Sequence, residues 1–292
     1  MNIVEITAGL VKELRDKTGL GMMECKKALG ETSGDIELAV EFLRKRGALK
    51  AEGKSDRTTS EGVIGSYISS DNKIGSLVEV NCETDFVARS EDFTALVSDI
   101  ALHASQADST DNILEQAFVN DSSKTIGDLV KEKIAKLGEN ITVKRADKFT
   151  AGENGFIGSY VHSNKKVGVL VELETEKALD SEALTSLTKD IAMHVTASTP
   201  KYVSRDSADQ DFIAKEKEIM LAQSGDDLSK KPENIREKIM TGRMDKIFAQ
   251  VCLLEQPFVK NPDQTVGDLV KEHSNKLGGN VTVKHFVRYA LG

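Results

Sequence analysis

The chain has 292 residues and is short of several features that common functions require. Its three cysteines, Cys25, Cys82 and Cys252, are odd in number and far apart. They form neither a disulfide framework nor a zinc-ligand spacing, which fits a reducing cytosol. No apolar run approaches the ~20 residues of a membrane-spanning helix. The start lacks the basic segment and apolar core of a signal peptide, so a cytoplasmic location is expected. Positive charge is also scarce: 39 Lys and Arg stand against 47 Asp and Glu, a formal net charge of −8. Nucleic acid is then a poor main partner, because phosphate binding needs a basic surface. Neither Gly-x-x-x-x-Gly-Lys-Ser/Thr nor Gly-x-Gly-x-x-Gly after a strand occurs, so no nucleotide or dinucleotide cofactor site is expected. The five histidines (His103, His162, His194, His273, His285) lack metal-ligand spacing, and no nucleophile motif is present. A protein that binds, without cofactor, metal or covalent chemistry, is what remains.

What is there begins with three helices. Thr7 is a good N-cap, and Ala8, Leu10, Val11 and Leu14 line one face. Thr18-Gly19-Leu20-Gly21 breaks that helix, and Met22 and Met23 open a second that continues through Cys25, Ala28 and Leu29 to Gly30. Ser33-Gly34-Asp35 starts a third, with Ile36, Ala39, Val40 and Leu43 at helical spacing until Gly47. Residues 1–48 therefore read as a three-helix module. Met22 and Met23 suit either a core gap or an adaptable binding surface. Residues 49–61 are polar, without apolar period, and read as a tether.

The rest of the chain contains one unit twice. Gly62-Val63-Ile64-Gly65-Ser66-Tyr67-Ile68 recurs as Gly155-Phe156-Ile157-Gly158-Ser159-Tyr160-Val161. Lys73 to Glu79 recurs as Lys166 to Glu172, and Asp99-Ile100-Ala101-Leu102-His103 as Asp190-Ile191-Ala192-Met193-His194. Thr125 to Glu132 matches Thr265 to Glu272, and Asn140 to Lys144 matches Asn280 to Lys284. Matches this long and in one order indicate duplication. Each unit reads strand, hairpin, strand, helix, helix, strand, with turns at Asp71-Asn72 and Asn164-Lys165. The fold class is α+β, with antiparallel sheets and helices over residues 62–150 and 151–292. His103 and His194 hold equivalent positions, which favours a packing role. His103 and Thr125 are 22 residues apart but His194 and Thr265 are 71 apart, so the second unit holds about 49 extra residues. Over about 205–250 these predict two helices of ~16 residues joined at Ser224-Gly225-Asp226-Asp227, with Pro232 in a first turn. They would form an antiparallel coiled-coil arm of ~25 Å, suited to contact.

The stretch Asn81-Cys82-Glu83-Thr84-Asp85-Phe86-Val87-Ala88-Arg89 lies between a buried strand and an amphipathic helix. Thr84 or Asp85 can cap that helix. An aromatic at such a corner can be core or can be presented outward, and spacing alone favours Phe86 as capping the local core.

This stretch, together with Thr18-Gly19-Leu20-Gly21-Met22-Met23-Glu24-Cys25-Lys26-Lys27-Ala28-Leu29, resembles the elongation factor Ts family. Gly34 to Ala39, Ile191 to Val195, Gly242-Arg243-Met244, Gln256-Pro257-Phe258-Val259 and Thr265-Val266-Gly267 extend the resemblance along nearly the whole chain. It implies a guanine-nucleotide exchange factor for elongation factor Tu in translation elongation, binding that partner in its GDP-bound and nucleotide-free states. It also implies a ubiquitin-associated-like fold for the N-terminal helices. The family's Asp-Phe pair falls on Asp85 and Phe86, flanked by Thr84 and Val87, and enters between two helices of the partner's G domain. Arg15, Met22 and Met23 match positions that touch the same domain. Leu137 and Gly138 match a loop that supports the Phe86 side, and His162 matches a position facing another domain of the partner. Members with the longest tails carry a further helix after the last strand. This chain stops at Arg288-Tyr289-Ala290-Leu291-Gly292, so contacts of that helix do not carry over.

Overall fold

Local capping chemistry sets the first elements. The computed structural model describes residues 5–229 and 232–292. The Thr7 hydroxyl accepts from Leu10 N at 3.3 Å to start α1 (Ala8–Thr18). That helix buries Val11 and Leu14 and leaves Ala8 exposed. Gly19, at φ 66°, ends it in the left-handed conformation that glycine adopts without steric cost. Helix α2 (Met22–Glu31) buries Cys25, Ala28 and Leu29. Asp35 caps α3 (Ile36–Glu52), whose Ala39 and Leu43 close the small core, while Val40 stays partly exposed. Full burial of Leu14 and Leu29 contributes about 1.5–3 kcal/mol each. Helix α3 does not stop at Gly47: Leu49–Glu52, expected as the start of the tether, are helical. Gly47 is a crossing point, where an added Cβ would stand 3.1 Å from Ala135.

Next come β1 (Glu61–Ile68), β2 (Ile74–Cys82), α4 (Asp85–Ala88), α5 (Glu91–Gln106), β3 (Ala117–Phe118), β4 (Asp121–Thr125), α6 (Ile126–Leu137) and β5 (Ile141–Thr150). The later elements are β6 (Gly155–Val161), β7 (Val167–Thr175), α7 (Ser181–Ser198), α8 (Gln210–Ser229), α9 (Glu233–Val251), β8 (Pro257–Phe258), β9 (Asn261–Thr265), α10 (Val266–Leu277) and β10 (Val281–Ala290). Two antiparallel sheets result, in the orders β1-β2-β5 and β6-β7-β10. Asn72 and Lys165, both at φ 56°, make the tight turns between their first strands.

One face of each sheet is covered by helices: Val78, Val80 and Cys82 pack with Phe93, Leu96, Ile100 and Ile134, and Val169, Val171 and Leu173 with Leu187 and Ile191. The other faces meet each other. Ile64, Leu77 and Phe149 from one sheet pack on Ile157, Leu170 and Tyr289 from the other. Gly75 and Gly168 allow the approach, since a Cβ on either would lie 2.5 Å from Ile157 or Ile64 respectively. Each hairpin turn also bonds the opposite sheet: Ile64 N donates to Lys165 O at 2.8 Å and Ile157 N to Asn72 O at 2.7 Å. The layers therefore run helix, sheet, sheet, helix, an α+β arrangement.

The structure adds a two-stranded ribbon before α6 and another before α10, β3–β4 and β8–β9. Each leads into a capping box, Thr125 with Asp128 and Thr265 with Asp268. The equivalent histidines are buried, His103 bonded to Gln116 at 3.0 Å and His194 to Gln256 at 2.9 Å. The arm differs from expectation at its tip. Helix α8 runs through Ser224–Asp227 to Ser229, because glycine weakens a helix by about 1 kcal/mol and Ser and Asp by less each, and none of them blocks it as proline would. Pro232 is the N-cap of α9 and not a first-turn residue. With 20 and 19 residues the two helices are about 30 Å long. Ile213, Met220, Met240, Met244 and Phe248 join them.

Candidate partner-binding site

Strand β2 delivers Cys82 to the core, where burial pushes its thiol up to about 12 and its Sγ donates to Thr84 O at 3.2 Å. The chain then turns. Thr84 is the residue that caps α4: its extended backbone puts the hydroxyl within 3.4 Å of Val87 N. Ser90 caps α5 in the same way, so the corner is a single four-residue helical turn between two caps. Its side chains divide. Ala88 is buried and Val87 packs against the first core, whereas Phe86 is 84% exposed. Spacing alone would have put Phe86 in the core; the structure presents it to solvent. Asp85 pairs with Arg89 at 2.9 Å, an exposed ion pair worth about 0.2–1 kcal/mol at most.

A second loop braces the corner. Helix α6 ends at Leu137, half-buried against the first core, and Gly138 follows at φ 82° with open space around it. The Glu139 carboxylate then reaches across, accepting from Thr84 N at 3.0 Å and from Thr84 Oγ1 at 2.6 Å. Glu83 reaches the other way, accepting from Asn140 N at 2.6 Å and from Arg57 at 3.5 Å. Asn140, buried, holds the tether through Ser55 O and Arg57 O. Sequence reasoning named Leu137 and Gly138 but missed Glu83, Glu139 and Asn140. Glu83 before the Phe86 corner and Glu139 after the Gly138 cap were the available signal, without a sequence spacing to connect them.

The N-terminal positions attach to the same helix. Met22 and Met23 are 60% and 77% exposed, so they are not core filler. Arg15 is exposed on α1. The loop between α1 and α2 rests on α6, where a Cβ on Gly19 would stand 3.1 Å from the Lys136 side chain. Lys136 and Lys133 both hold Asp92 at the start of α5, at 2.7 and 2.9 Å. These ammonium groups keep the Asp92 carboxyl below the usual range. The end of α6 thus touches the Met22 loop through Lys136, and the loop just after its glycine cap touches the Phe86 corner through Glu139. His162 lies elsewhere, exposed in the turn between β6 and β7, with its Nδ1 3.1 Å from Tyr160 OH. That turn joins β1 through Lys166, which pairs with Glu61 at 2.9 Å.

The family described as Elongation factor TS matches residues 83–292. Elongation factor Ts of Nostoc sp. is 44% identical over 295 aligned residues, covering 99% of this chain and 93% of the relative. Elongation factor Ts of Clostridium kluyveri is 44% identical over 289, covering 98% and 93%. The chain belongs to the elongation factor Ts family. The family match begins at Glu83, the residue that opens the Phe86 corner, and the similarity to these elongation factor Ts relatives extends over the N-terminal helices as well. Among the described residues no three His, Cys, Asp or Glu side chains gather as a metal site, and no helix is long and apolar enough to cross a membrane. The corner can offer an exposed aromatic on a doubly capped, cross-braced turn.

Proposed function

We propose that this chain is the guanine-nucleotide exchange factor of elongation factor Tu. It binds the GDP-loaded partner, promotes loss of GDP and Mg²⁺, and gives way when GTP binds. The observation that carries this reading is Phe86, 84% exposed at the tip of a turn whose neighbours Val87 and Ala88 are anchored. An exposed aromatic on a braced turn is suited to be a binding hot spot, because little backbone freedom is lost on docking. Phe86, with Asp85 beside it and Thr84 and Val87 holding the turn, enters between two helices of the partner's G domain. Arg15, Met22 and Met23 touch the same domain, Leu137 and Gly138 support the wedge, and His162 faces another domain of the partner.

A G protein retains GDP because its phosphate loop and Mg²⁺ satisfy the phosphate charges. Wedging an aromatic between two of its helices offers binding energy that is fully realised only when a helix has shifted. That shift distorts the phosphate loop and weakens the Mg²⁺ ligands. The chain acts by binding alone: it is not an enzyme in the covalent sense, needs no cofactor, and contacts neither nucleotide, nucleic acid nor membrane. It works in the cytoplasm. Its organisation is a ubiquitin-associated-like domain expected over 1–48, whose third helix runs on to Glu52 and shortens the tether expected over 49–61, followed by duplicated subdomains over 62–150 and 151–292. The second subdomain carries the coiled-coil arm at about 205–250.

Coupling between the two ligands of elongation factor Tu must be reciprocal. The test is titration of the chain against nucleotide-free and GDP-loaded elongation factor Tu. Binding weakened by GDP by the same factor as the chain weakens GDP supports the proposal. Equal affinity for both forms would overturn it.

A further inference from the structure

The chain contains its own comparison for the Phe86 corner. Carrying the match of Glu79 with Glu172 onward without a gap sets Thr84 against Lys177, Asp85 against Ala178 and Phe86 against Leu179. The match of Asn140 with Asn280 sets Gly138 against Gly278 and Glu139 against Gly279. The two corners therefore share their strand, their glycine cap and the following asparagine. They differ in the group on each side of the gap between the loops. The second corner is also two residues shorter, Glu79 and Asp99 being 20 apart but Glu172 and Asp190 18, so it is the substitution of Glu139 within the first corner that isolates the side chain's effect.

Their structures differ accordingly. In the first corner the Glu139 carboxylate fills the gap, takes both polar hydrogens of Thr84, and Thr84 caps α4. In the second, Gly279 has no side chain, and the gap is filled by Leu179. A Cβ on Gly279 would stand 3.0 Å from Leu179 Cδ2 and 3.1 Å from Lys177 Cε. Leu179 is half-buried and packs on the second core, and no helical turn forms between Thr175 and Ser181. The apolar residue at this position thus turns inward where the facing residue is glycine and outward where it is glutamate.

We infer that Glu139 is a positioning residue: its carboxylate occupies the space into which Phe86 would otherwise fold and holds the Thr84 cap that points Phe86 outward. Two features set its effect. It fills volume, so the apolar residue finds no surface to cover. It also accepts two hydrogen bonds from one residue, which fixes the start of α4 more firmly than the 3.4 Å cap bond could alone. Glu83, accepting from Asn140 N, keeps the two loops at this separation. Its consequence for exchange rests on the function proposed above; its consequence for the orientation of residue 86 does not.

The absence of tryptophan from the chain makes that orientation directly readable. Phe86→Trp gives a single reporter, examined by emission wavelength and acrylamide quenching in the Glu139 and Glu139→Gly backgrounds. Solvent-like emission with Glu139, and a blue shift with loss of quenching in Glu139→Gly, is the expected result. Identical spectra and quenching in both backgrounds would overturn the inference. The second arm uses native Phe86. At saturating chain, Glu139→Ala should slow GDP release from elongation factor Tu about tenfold, the scale of one lost charge-assisted hydrogen bond. Glu139→Gln, which keeps volume and an acceptor, should recover most of that loss. Combining Glu139→Ala with Phe86→Ala should slow release no further than Phe86→Ala alone. Slowing that multiplies, or a lowered melting temperature with normal release for Glu139→Ala, would show that Glu139 does not act through Phe86. If Phe86→Ala itself releases GDP normally, the exchange reading fails, while the tryptophan arm still decides the orientation.

Discussion

Replacing Phe86 by alanine separates presentation from packing. A buried phenylalanine lost from a core costs about 3–5 kcal/mol through transfer and cavity terms. Phe86 is 84% exposed, so almost none of that applies. An exposed substitution away from caps and buried partners changes stability by about 0.5 kcal/mol or less. The backbone bonds of the corner use Thr84, Glu139 and Ser90, none of which the substitution touches. In a complex the same ring would be desolvated, and truncating such a hot spot costs about 2 kcal/mol or more, roughly thirtyfold. The loss should fall on the release step at saturating chain, because in the proposed complex first encounter would use the separate, exposed Arg15, Met22 and Met23 surface. Calorimetric melting of the free protein and stopped-flow release of fluorescent GDP provide the paired assay. An unchanged melting temperature with release slowed about thirtyfold is the prediction. A large fall in melting temperature with normal release would refute the reasoning and make Phe86 structural.

Other consequences follow from the same geometry. Gly75→Ala should force the two sheets apart, since the new Cβ would lie 2.5 Å from Ile157 and 2.9 Å from Ile68 and Leu170. A loss of about 1–3 kcal/mol in chemical denaturation is expected, and an unchanged midpoint would contradict this packing. Replacing residues 210–247 with a short Gly/Ser linker should leave a cooperative thermal transition, because loop-closure entropy changes slowly with length; an insoluble or molten product would count against an independent arm. His194 uses both ring nitrogens while neutral, Nδ1 accepting from Val259 N at 3.1 Å and Nε2 bonded to Gln256, and burial lowers its pKa. The unfolded chain then binds more protons below about pH 6.5, so stability is intact above that pH and falls as the solution is acidified. The His194→Gln variant should show a shallower decline in melting temperature between about pH 6.5 and 5 than the parent, and equal slopes would exclude His194 as a source.

Much of the architecture was legible because the signals are local and recur. Asn72 and Lys165 turn where the paired blocks predicted hairpins, Thr7 caps where its residue type said it should, and the third helix starts from Ser33-Gly34-Asp35, with Asp35 as the cap. The equivalence of His103 and His194 was visible as well, although nothing local pointed to Gln116 or Gln256 as their partners. Misreadings arose where a residue's local meaning was overridden by distant packing. Gly47 looked like a helix stop, yet it serves the close approach to Ala135 on α6. Ser224–Asp227 looked like a turn, but its composition weakens a helix without ending one. Phe86 was ambiguous for the same reason. Its direction depends on Glu139, which follows in sequence only after an entire helix pair and becomes a neighbour only when β5 returns beside β2.

The central claim is tested most directly by the rate at which GDP leaves preloaded elongation factor Tu as this chain is added. The account predicts a rate that rises with chain concentration to a plateau well above spontaneous release. Release that stays at the spontaneous rate at every concentration would contradict it.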